Sequence, residues 1–376
     1  MKSNPYLYPY YPFEDLSNKI LIDNFGSSKI ISNNELPKLV SEMLNLKIEF
    51  DKTGSIADVI LNFFLDENVR FGPKEFVTDQ TEAWKQQING FVKRNKPIEF
   101  TILGFPFKVA VSLKTDRTLP DLGEVLLLTR LFWITQQIKE IYQPGGVINI
   151  FTEGVFNEFT GNSKTDSNDY KNRIIEFVNL LGYNQNIKVI DLYELEPLAP
   201  GFREEWKNQT RIFKEQYLKR DPETIKKFDG AFPSIFRIVS AKEYPTELLM
   251  DVYNEQISDR QIGLRGEEVR KILKDRAKDA VFTYNGYHQA RYNVDLIKKF
   301  LPESVYLTVS PKIGRLGIYP ISKDIVRLPY HAVTVLEQAT GKLDLEYLID
   351  IRRKPGPYTK VYLQGDKDSQ AFYYIR

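Results

Sequence analysis

The sequence predicts an α/β fold: a Rossmann-like, mostly parallel sheet flanked by helices, with an N-terminal helical layer and a strand-rich C-terminal part. Three observations carry that expectation. Short apolar runs at Ile98–Leu103, Val147–Phe151 and Ile187–Ile190 alternate with long helical patterns, the βαβαβ order of half a doubly wound sheet. The residues before about Asn95 repeat their apolar positions on a period near 3.6. The last quarter returns to short strands punctuated by Gly and Pro.

Element by element, the segment Pro5–Pro12 is aromatic and proline-rich and reads as an extended arm. Leu36–Leu46 aligns Leu36, Leu39, Val40, Met43 and Leu44 on one helical face, and Ile56–Phe64 is similar. Glu82–Lys93 does the same with Trp84, Ile88 and Phe91. Ile98–Leu103 alternates as a strand does, and Leu122–Tyr142 is a strongly apolar helix. Asp169–Leu181 turns Ile174, Ile175, Phe177, Val178 and Leu181 inward. Glu204–Lys227 is polar and helical, and Arg265–Arg276 is a densely charged helix with a solvated face. Strands follow at Val305–Val309, Leu316–Tyr319, Ala332–Leu336, Lys360–Leu363 and Ala371–Ile375. The organisation expected is 1–95 (arm and helical layer), 96–300 (α/β core with a helical insertion) and 301–376 (strand-rich part on the same core).

Composition narrows the chemistry. The chain has 376 residues, 42% hydrophobic and 27% charged, ample for a large core. With 52 basic and 50 acidic side chains the formal charge is +2, so no net field recruits nucleic acid or an anionic membrane. The absence of cysteine excludes disulfides, thiolate metal sites and a cysteine nucleophile. His288 and His331 are the two histidines, which excludes a three-histidine zinc site. No G-x-G-x-x-G or Walker A pattern supports a nicotinamide, flavin or nucleotide reading. The start lacks an apolar signal region, and Val125–Ile134 contains Arg130 and is too short to span a bilayer, so a cytoplasmic protein is expected. The 22 Tyr and 24 Phe imply a ring-rich core, and such rings also suit an aromatic substrate pocket.

In an open parallel sheet, ligands bind beyond the carboxyl ends of the strands. That rule selects two loops. The first runs from Gly104 to Asp121, long for a βα connection. It brings Lys108, Lys114 and Arg117 toward a helix N-terminus, as a phosphate site or as a solvated basic loop. Asp121 and Glu124 fit a capping box at that helix; equally, Asp121 could take a catalytic or substrate-binding role, and the cap leaves Glu124 open to substrate. The second loop follows Phe151, where Glu153 stands beside Gly154. It is either a general base or ammonium ligand, or a plain surface carboxylate. Later, Arg291 follows His288, and His331 follows Pro329 and Tyr330. Of the two histidines, His331 is the preferred acid–base group.

Taken together these segments resemble the isonitrile (isocyanide) synthase family, also called the pyoverdine/dityrosine biosynthesis family. The blocks Phe105-Pro-Phe-Lys108 and Leu119-Pro-Asp-Leu-Gly-Glu124 are similar to that family's F-P-x-K…L-P-D-x-G-E. Tyr142-Gln-Pro-Gly145 with Thr152-Glu-Gly154-x-Phe156 resembles its strand followed by S-D-G-x-x-F. Arg291, Leu301-Pro302, Tyr306–Pro311 and Leu328-Pro-Tyr-His331 resemble its later blocks. Glu153 stands for the usual Asp, Val109 for a small polar residue, Ser310 for His and Tyr330 for Trp. The resemblance implies an enzyme that joins the amino group of Tyr or Trp to the keto carbon of ribulose 5-phosphate. Proton removals and carbon–carbon cleavages then leave that carbon as the isonitrile. It implies small-molecule substrates, no cofactor or metal, and a downstream tailoring enzyme. Lys108 and Arg291 would anchor phosphate or carboxylate, or Lys108 would act through a desolvated amine. Lys114 and Arg117 would assist, Glu153 and Glu124 would orient the amine or move protons, and His331 would be the acid–base group. On this reading Lys108→Ala abolishes turnover and leaves the fold intact. Two alternatives remain at this stage: another amine and sugar-phosphate condensing enzyme, or a non-catalytic metabolite-binding member.

Overall fold

The central sheet forms from the strands whose apolar runs were legible. The computed structural model describes residues 25–105, 108, 114–116, 118–154, 164–240, 266–353, 357–366 and 370–376. The expected arm at Pro5–Pro12, Arg117, and the loop residues 155–163 lie outside them. Ten strands are present among the described residues: β1 (Phe25–Ile31), β2 (Ile98–Leu103), β3 (Gly146–Thr152), β4 (Ile187–Asp191), β5 (Val305–Thr308), β6 (Leu316–Gly317), β7 (Val333–Glu337), β8 (Lys342–Glu346), β9 (Tyr358–Leu363) and β10 (Tyr373–Ile375). One sheet has the order β4-β3-β2-β5-β6 and is parallel throughout, with Phe100 opposite both Ile148 and Val305. Burial on both faces is what a parallel sheet demands: Phe100, Ile102, Ile148 and Ile150 are buried on one face, and Thr101, Asn149 and Phe151 on the other.

The helices before the crossover are α1 (Leu36–Leu44), α2 (Ile56–Leu65), α3 (Glu75–Thr78) and α4 (Thr81–Lys93). Their expected faces are turned inward at Leu36, Val40, Trp84, Ile88 and Phe91. Phe64 packs against Phe100 of β2 at 5.6 Å, and Phe63 against Trp133 at 5.8 Å, so this layer seals one face of the sheet. The crossover helix α5 (Leu122–Ile141) is apolar nearly all round because it is covered on several sides. It packs on β3, β7, α1 and α2. Arg130 is tolerated inside it because its guanidinium lies 4.2 Å from the Trp133 ring and donates to the Asn68 carbonyl. Burial still lowers its pKa to about 10. Among the described residues no helix is long and apolar enough to cross a membrane.

Further helices follow: α6 (Lys164–Leu180), α7 (Leu192–Leu195), α8 (Phe202–Leu218), α9 (Pro222–Ser240), α10 (Gly266–Val294), α11 (Leu296–Phe300) and α12 (Leu348–Arg353). The helix expected over Glu204–Lys227 is two helices. The chain turns at Arg220, whose φ is +59°, and Asp221 restarts it by accepting from the Thr224 amide at 2.9 Å. The charged segment near Arg265 opens a helix of 29 residues that buries Leu273, Ala277, Ala280 and Val281 against α8 and α9.

Strands also appear that the sequence reading did not contain. β1 is exposed at most positions and has no clear alternation, yet it joins β9 in parallel at the edge of a second sheet, β1-β9-β10-β7-β8. β8 returns antiparallel to β7 through a turn at Gly341, whose φ is +69°. The strands therefore cross the expected partition: β1 joins the C-terminal sheet, while β5 and β6 complete the central one.

One glycine fixes the approach of two helices. A Cβ on Gly286 of α10 would lie 2.2 Å from Thr210 Oγ1 and 2.6 Å from the Thr210 backbone on α8. Gly286→Ala is expected to force these helices apart and cost about 1–3 kcal/mol. Urea unfolding measures it; a native midpoint would show that the contact is not that tight.

Candidate functional site

Because β2, β3 and β5 run parallel side by side, their carboxyl ends open onto one edge of the sheet. Each end delivers part of a polar cluster. The first cluster begins after β2. Phe105 is buried with φ at +55°, a conformation that costs a bulky residue roughly 1–3 kcal/mol and that recurs at functional loops. Three residues later Lys108 turns inward, with only 1% of its side chain exposed.

There it meets the start of α5. Asp121 caps this helix, accepting from the Gly123 amide at 2.8 Å, while Glu124 Oε2 accepts from the Asp121 amide at 2.9 Å. The capping box read from the sequence is thus present. The Lys108 ammonium bridges the two carboxylates, touching Asp121 Oδ2 and donating to Glu124 Oε2 at 3.1 Å. Tyr170 on α6 donates to Glu124 Oε1 at 3.2 Å. Burial drives the Asp121 carboxyl well above the ordinary carboxylate range; Lys108 opposes this, and Glu124 adds to it by repulsion. Burial would lower the Lys108 pKa, but the two carboxylates outweigh it and hold the ammonium charged. The desolvated-amine reading of Lys108 is therefore corrected. As a phosphate anchor it is corrected too, since its charge is already spent on two carboxylates.

His331 belongs to the same neighbourhood. It ends the short turn Pro329–His331, just before β7, and its ring meets the Tyr330 ring at 4.8 Å. Burial, followed by the positive charges of Lys114 and Lys108, lowers its pKa to about 3. The imidazole is therefore neutral near pH 7. Lys114 places its ammonium 5.5 Å from the Tyr347 ring, and its carbonyl accepts from the Leu348 amide. The expected gathering of Lys108, Lys114 and Arg117 around one anion is not what the described residues form. Lys108 is enclosed, Lys114 lies against an aromatic ring, and Arg117 is outside them.

The second cluster surrounds Glu153, immediately after β3. Gly154 is required there, since a Cβ would lie 2.7 Å from the Asp191 carboxylate at the end of β4. Glu153 is no plain surface carboxylate. Its side chain is 14% exposed, it is ion-paired with Arg291, and Tyr287 donates to it at 3.4 Å. Tyr284, Tyr287, His288 and Arg291 share one face at the end of α10, at helical spacing. Arg291 Nη2 lies 3.1 Å from His288 Nδ1. A guanidinium can only donate, so Nδ1 accepts and the proton sits on Nε2. Burial and the charges of Arg291, Lys312 and Arg315 push the His288 pKa well below the ordinary value. Lys312 and Arg315 come from the loop after β5.

The sequence reading missed these two cations, although the strand-end rule that selected two loops applies equally to the third. It also missed Tyr287 and Tyr170. The pattern Tyr-x-x-Tyr-His-x-x-Arg could have flagged Tyr287, whereas only the packing of α6 on α5 reveals Tyr170. Among the described residues no group of three or more His, Asp or Glu is placed to hold a metal ion.

A sequence model of the pyoverdine/dityrosine biosynthesis protein family matches residues 88–340, which span both clusters. The chain is 25% identical over 260 residues to the L-tryptophan isonitrile synthase AmbI2 of Fischerella ambigua, covering 67% of this chain and 72% of that one. It is 23% identical over 331 residues to an L-tyrosine isonitrile synthase of Xenorhabdus nematophila, covering 83% and 93%. The crystal structure of PvcA from Pseudomonas aeruginosa superposes with a TM-score of 0.63 at 17% identity, covering 85% of this chain and 99% of that one, which establishes the shared fold. With two thirds of its length matched, and both polar clusters inside the match, the chain belongs to the pyoverdine/dityrosine biosynthesis family, whose isonitrile synthases its motifs resemble.

Proposed function

We propose that the protein is an isonitrile synthase that converts the amino group of Tyr or Trp, with ribulose 5-phosphate as carbon donor. The observation that carries this reading is the pairing of charges at one edge of the parallel sheet, inside the span that matches the family: Glu153 holds Arg291 after β3, and Lys108 is held between Asp121 and Glu124 at the start of α5. Near the Lys108 cluster His331 is neutral, its pKa lowered by burial and then by Lys114 and Lys108.

In this scheme the amine adds to the keto carbon and water leaves. Repeated proton removals and carbon–carbon cleavages then strip the sugar from that carbon. His331, which is only partly buried, takes the protons. Lys108, Tyr170, Asp121 and Glu124 are fully enclosed and act as positioning residues, fixing charge at the start of α5. Glu153 and Arg291 are partly open and meet the polar ends of the substrates. Lys114, beside the Tyr347 ring, would add positive charge near His331, and Arg117 would assist as a further substrate contact. The setting we infer is cytoplasmic, with a downstream tailoring enzyme consuming the product, and the segments 1–95, 96–300 and 301–376 are taken as parts of one folding unit.

The test is product analysis by mass spectrometry after incubation with each of the twenty amino acids and ribulose 5-phosphate labelled at the keto carbon. The expected product is an isonitrile of Tyr or Trp that retains the label. A labelled product from a different amine would point to another condensing enzyme on this scaffold. No product together with ligand-dependent thermal stabilisation would point to a binding protein.

A further inference from the structure

The segment that leads into α5, Leu119-Pro-Asp-Leu-Gly-Glu124, carries the two carboxylates that enclose Lys108. Its first residues form a connection rather than a strand, so their backbone groups need partners from elsewhere. Those partners come from residues 370–374, at the entry to β10. The Gln370 side chain is buried and uses both ends of its amide. Its Oε1 accepts from the Leu119 amide at 3.1 Å, and its Nε2 donates to the Leu119 carbonyl at 2.6 Å and to the Pro120 carbonyl at 3.2 Å. The Phe372 carbonyl accepts from the Leu122 amide at 3.0 Å, a donor in the first turn of α5 that has no partner inside the helix. Asp116, earlier in the same loop, accepts from the Ala371 amide at 3.1 Å and from the Tyr374 hydroxyl at 3.3 Å. The second sheet also presses on the helix directly. A Cβ on Gly123 would lie 3.1 Å from Thr334 Oγ1 on β7 and from Leu345 Cδ2 on β8.

We propose that Gln370 is a positioning residue for the reaction: its amide fixes the backbone at Leu119 and Pro120, and through that backbone the placement of Asp121, Glu124 and Lys108.

Three points support this. A side-chain amide that pairs with both backbone groups of one residue takes the place of a strand partner and sets a single register. Pro120 has a fixed φ, so a shift at Leu119 passes on to Asp121 with little to absorb it. The cluster it places bears on the chemistry, because burial and then the charges of Lys114 and Lys108 hold the His331 pKa down, and a displaced Lys108 alters that base. Gln370 bonds to none of the three charged side chains and acts through the backbone alone. It also lies after the residues that match the family, so a motif inside that span is held by a side chain outside it. That the cluster serves turnover rests on the isonitrile synthase reading; that Gln370 fixes the cluster does not.

The test compares the full chain with three variants. Gln370→Met keeps the length of the side chain and removes its three hydrogen bonds. Tyr374→Phe is milder and removes one bond to Asp116. Phe228→Leu is the control: Phe228 packs on Tyr217, Phe232 and Phe282 in the helical insertion, so it changes stability without changing the loop. Amide exchange by mass spectrometry and steady-state kinetics with Tyr or Trp and ribulose 5-phosphate are read below the melting temperature of each variant. In Gln370→Met, residues 118–124 are expected to exchange about tenfold to a hundredfold faster, while 222–240 keep the wild-type rate. Its kcat is expected to fall about tenfold to a hundredfold. KM for either substrate should stay within about threefold, because Glu153 and Arg291 stand at a different strand end. Tyr374→Phe should show the same pattern at smaller size, and it carries the test should Gln370→Met fail to fold. Phe228→Leu should melt lower and leave both kcat and exchange over 118–124 unchanged. Wild-type exchange over 118–124 in the folded loop variants would overturn the proposal. So would a kcat no lower than that of Phe228→Leu, or a loss that falls on KM instead. A wild type that yields no isonitrile, with faster exchange in Gln370→Met, would leave the clamp standing and remove the isonitrile reading.

Discussion

Lys108→Ala is expected to unfold at markedly lower urea than wild type, with a loss of about 3–5 kcal/mol, as well as to lose turnover. The sequence alone suggested a silent fold and a dead enzyme. The structure alters the first half, because Lys108 is enclosed between Asp121 and Glu124, and both carboxyls lie within the protein at the start of α5. Deleting the ammonium strands the second charge-bearing partner of each contact in a medium that cannot solvate it. The network also holds the cap of a twenty-residue helix against both sheets, so the damage is not local. A double variant, Lys108→Met with Asp121→Asn, removes charge of both signs. It is expected to recover much of the stability but none of the activity. A native urea midpoint for Lys108→Ala would refute the enclosed arrangement.

His331→Gln is expected to lower kcat about 10²- to 10⁴-fold, the usual contribution of a general base. It is also expected to change how stability depends on acid. An unfolded histidine takes up its proton near pH 6.5. Folded His331 resists until about pH 3, because burial and then Lys114 and Lys108 disfavour the imidazolium. Between those values the unfolded chain binds more protons than the folded one, so acid favours unfolding. The stability tied to this group is complete above pH 6.5 and falls as the pH drops toward 3, by up to about 1.4 kcal/mol per unit. Other carboxyls move the absolute curve, Asp121 in the opposite sense. The difference between wild type and His331→Gln isolates the imidazole. Parallel stability curves from pH 7 to 4 would show that His331 is not held neutral, and with them the base assignment would fail.

Much of the central sheet was legible because its strands are buried on both faces and its crossovers are amphipathic or wholly apolar. Burial of that kind leaves its mark residue by residue, as in Ile98–Leu103 and Leu122–Tyr142. The capping box at Asp121 and Glu124 was legible for a similar reason, since the bonds span three residues of one chain segment. β1 was not legible, because its partner β9 lies more than three hundred residues away and its side chains face solvent on an edge. Nor was the enclosure of Lys108. A basic loop before a helix looks the same in sequence whether its lysine faces water or turns beneath the cap.

The sequence by itself determined the parallel α/β core, the absence of thiol chemistry, the family motifs and the residues at the strand ends. Hydrophobic periodicity, composition and short-range hydrogen bonding are all written locally, and reading them needs no knowledge of distant partners. Only the tertiary structure decided which charges meet: Lys108 with two carboxylates, and Glu153 with Arg291. Electrostatic partnership depends on distance and on the exclusion of water. Both are set by how α5, α6 and α10 pack on the sheet, and neither is encoded in the spacing of residues along the chain.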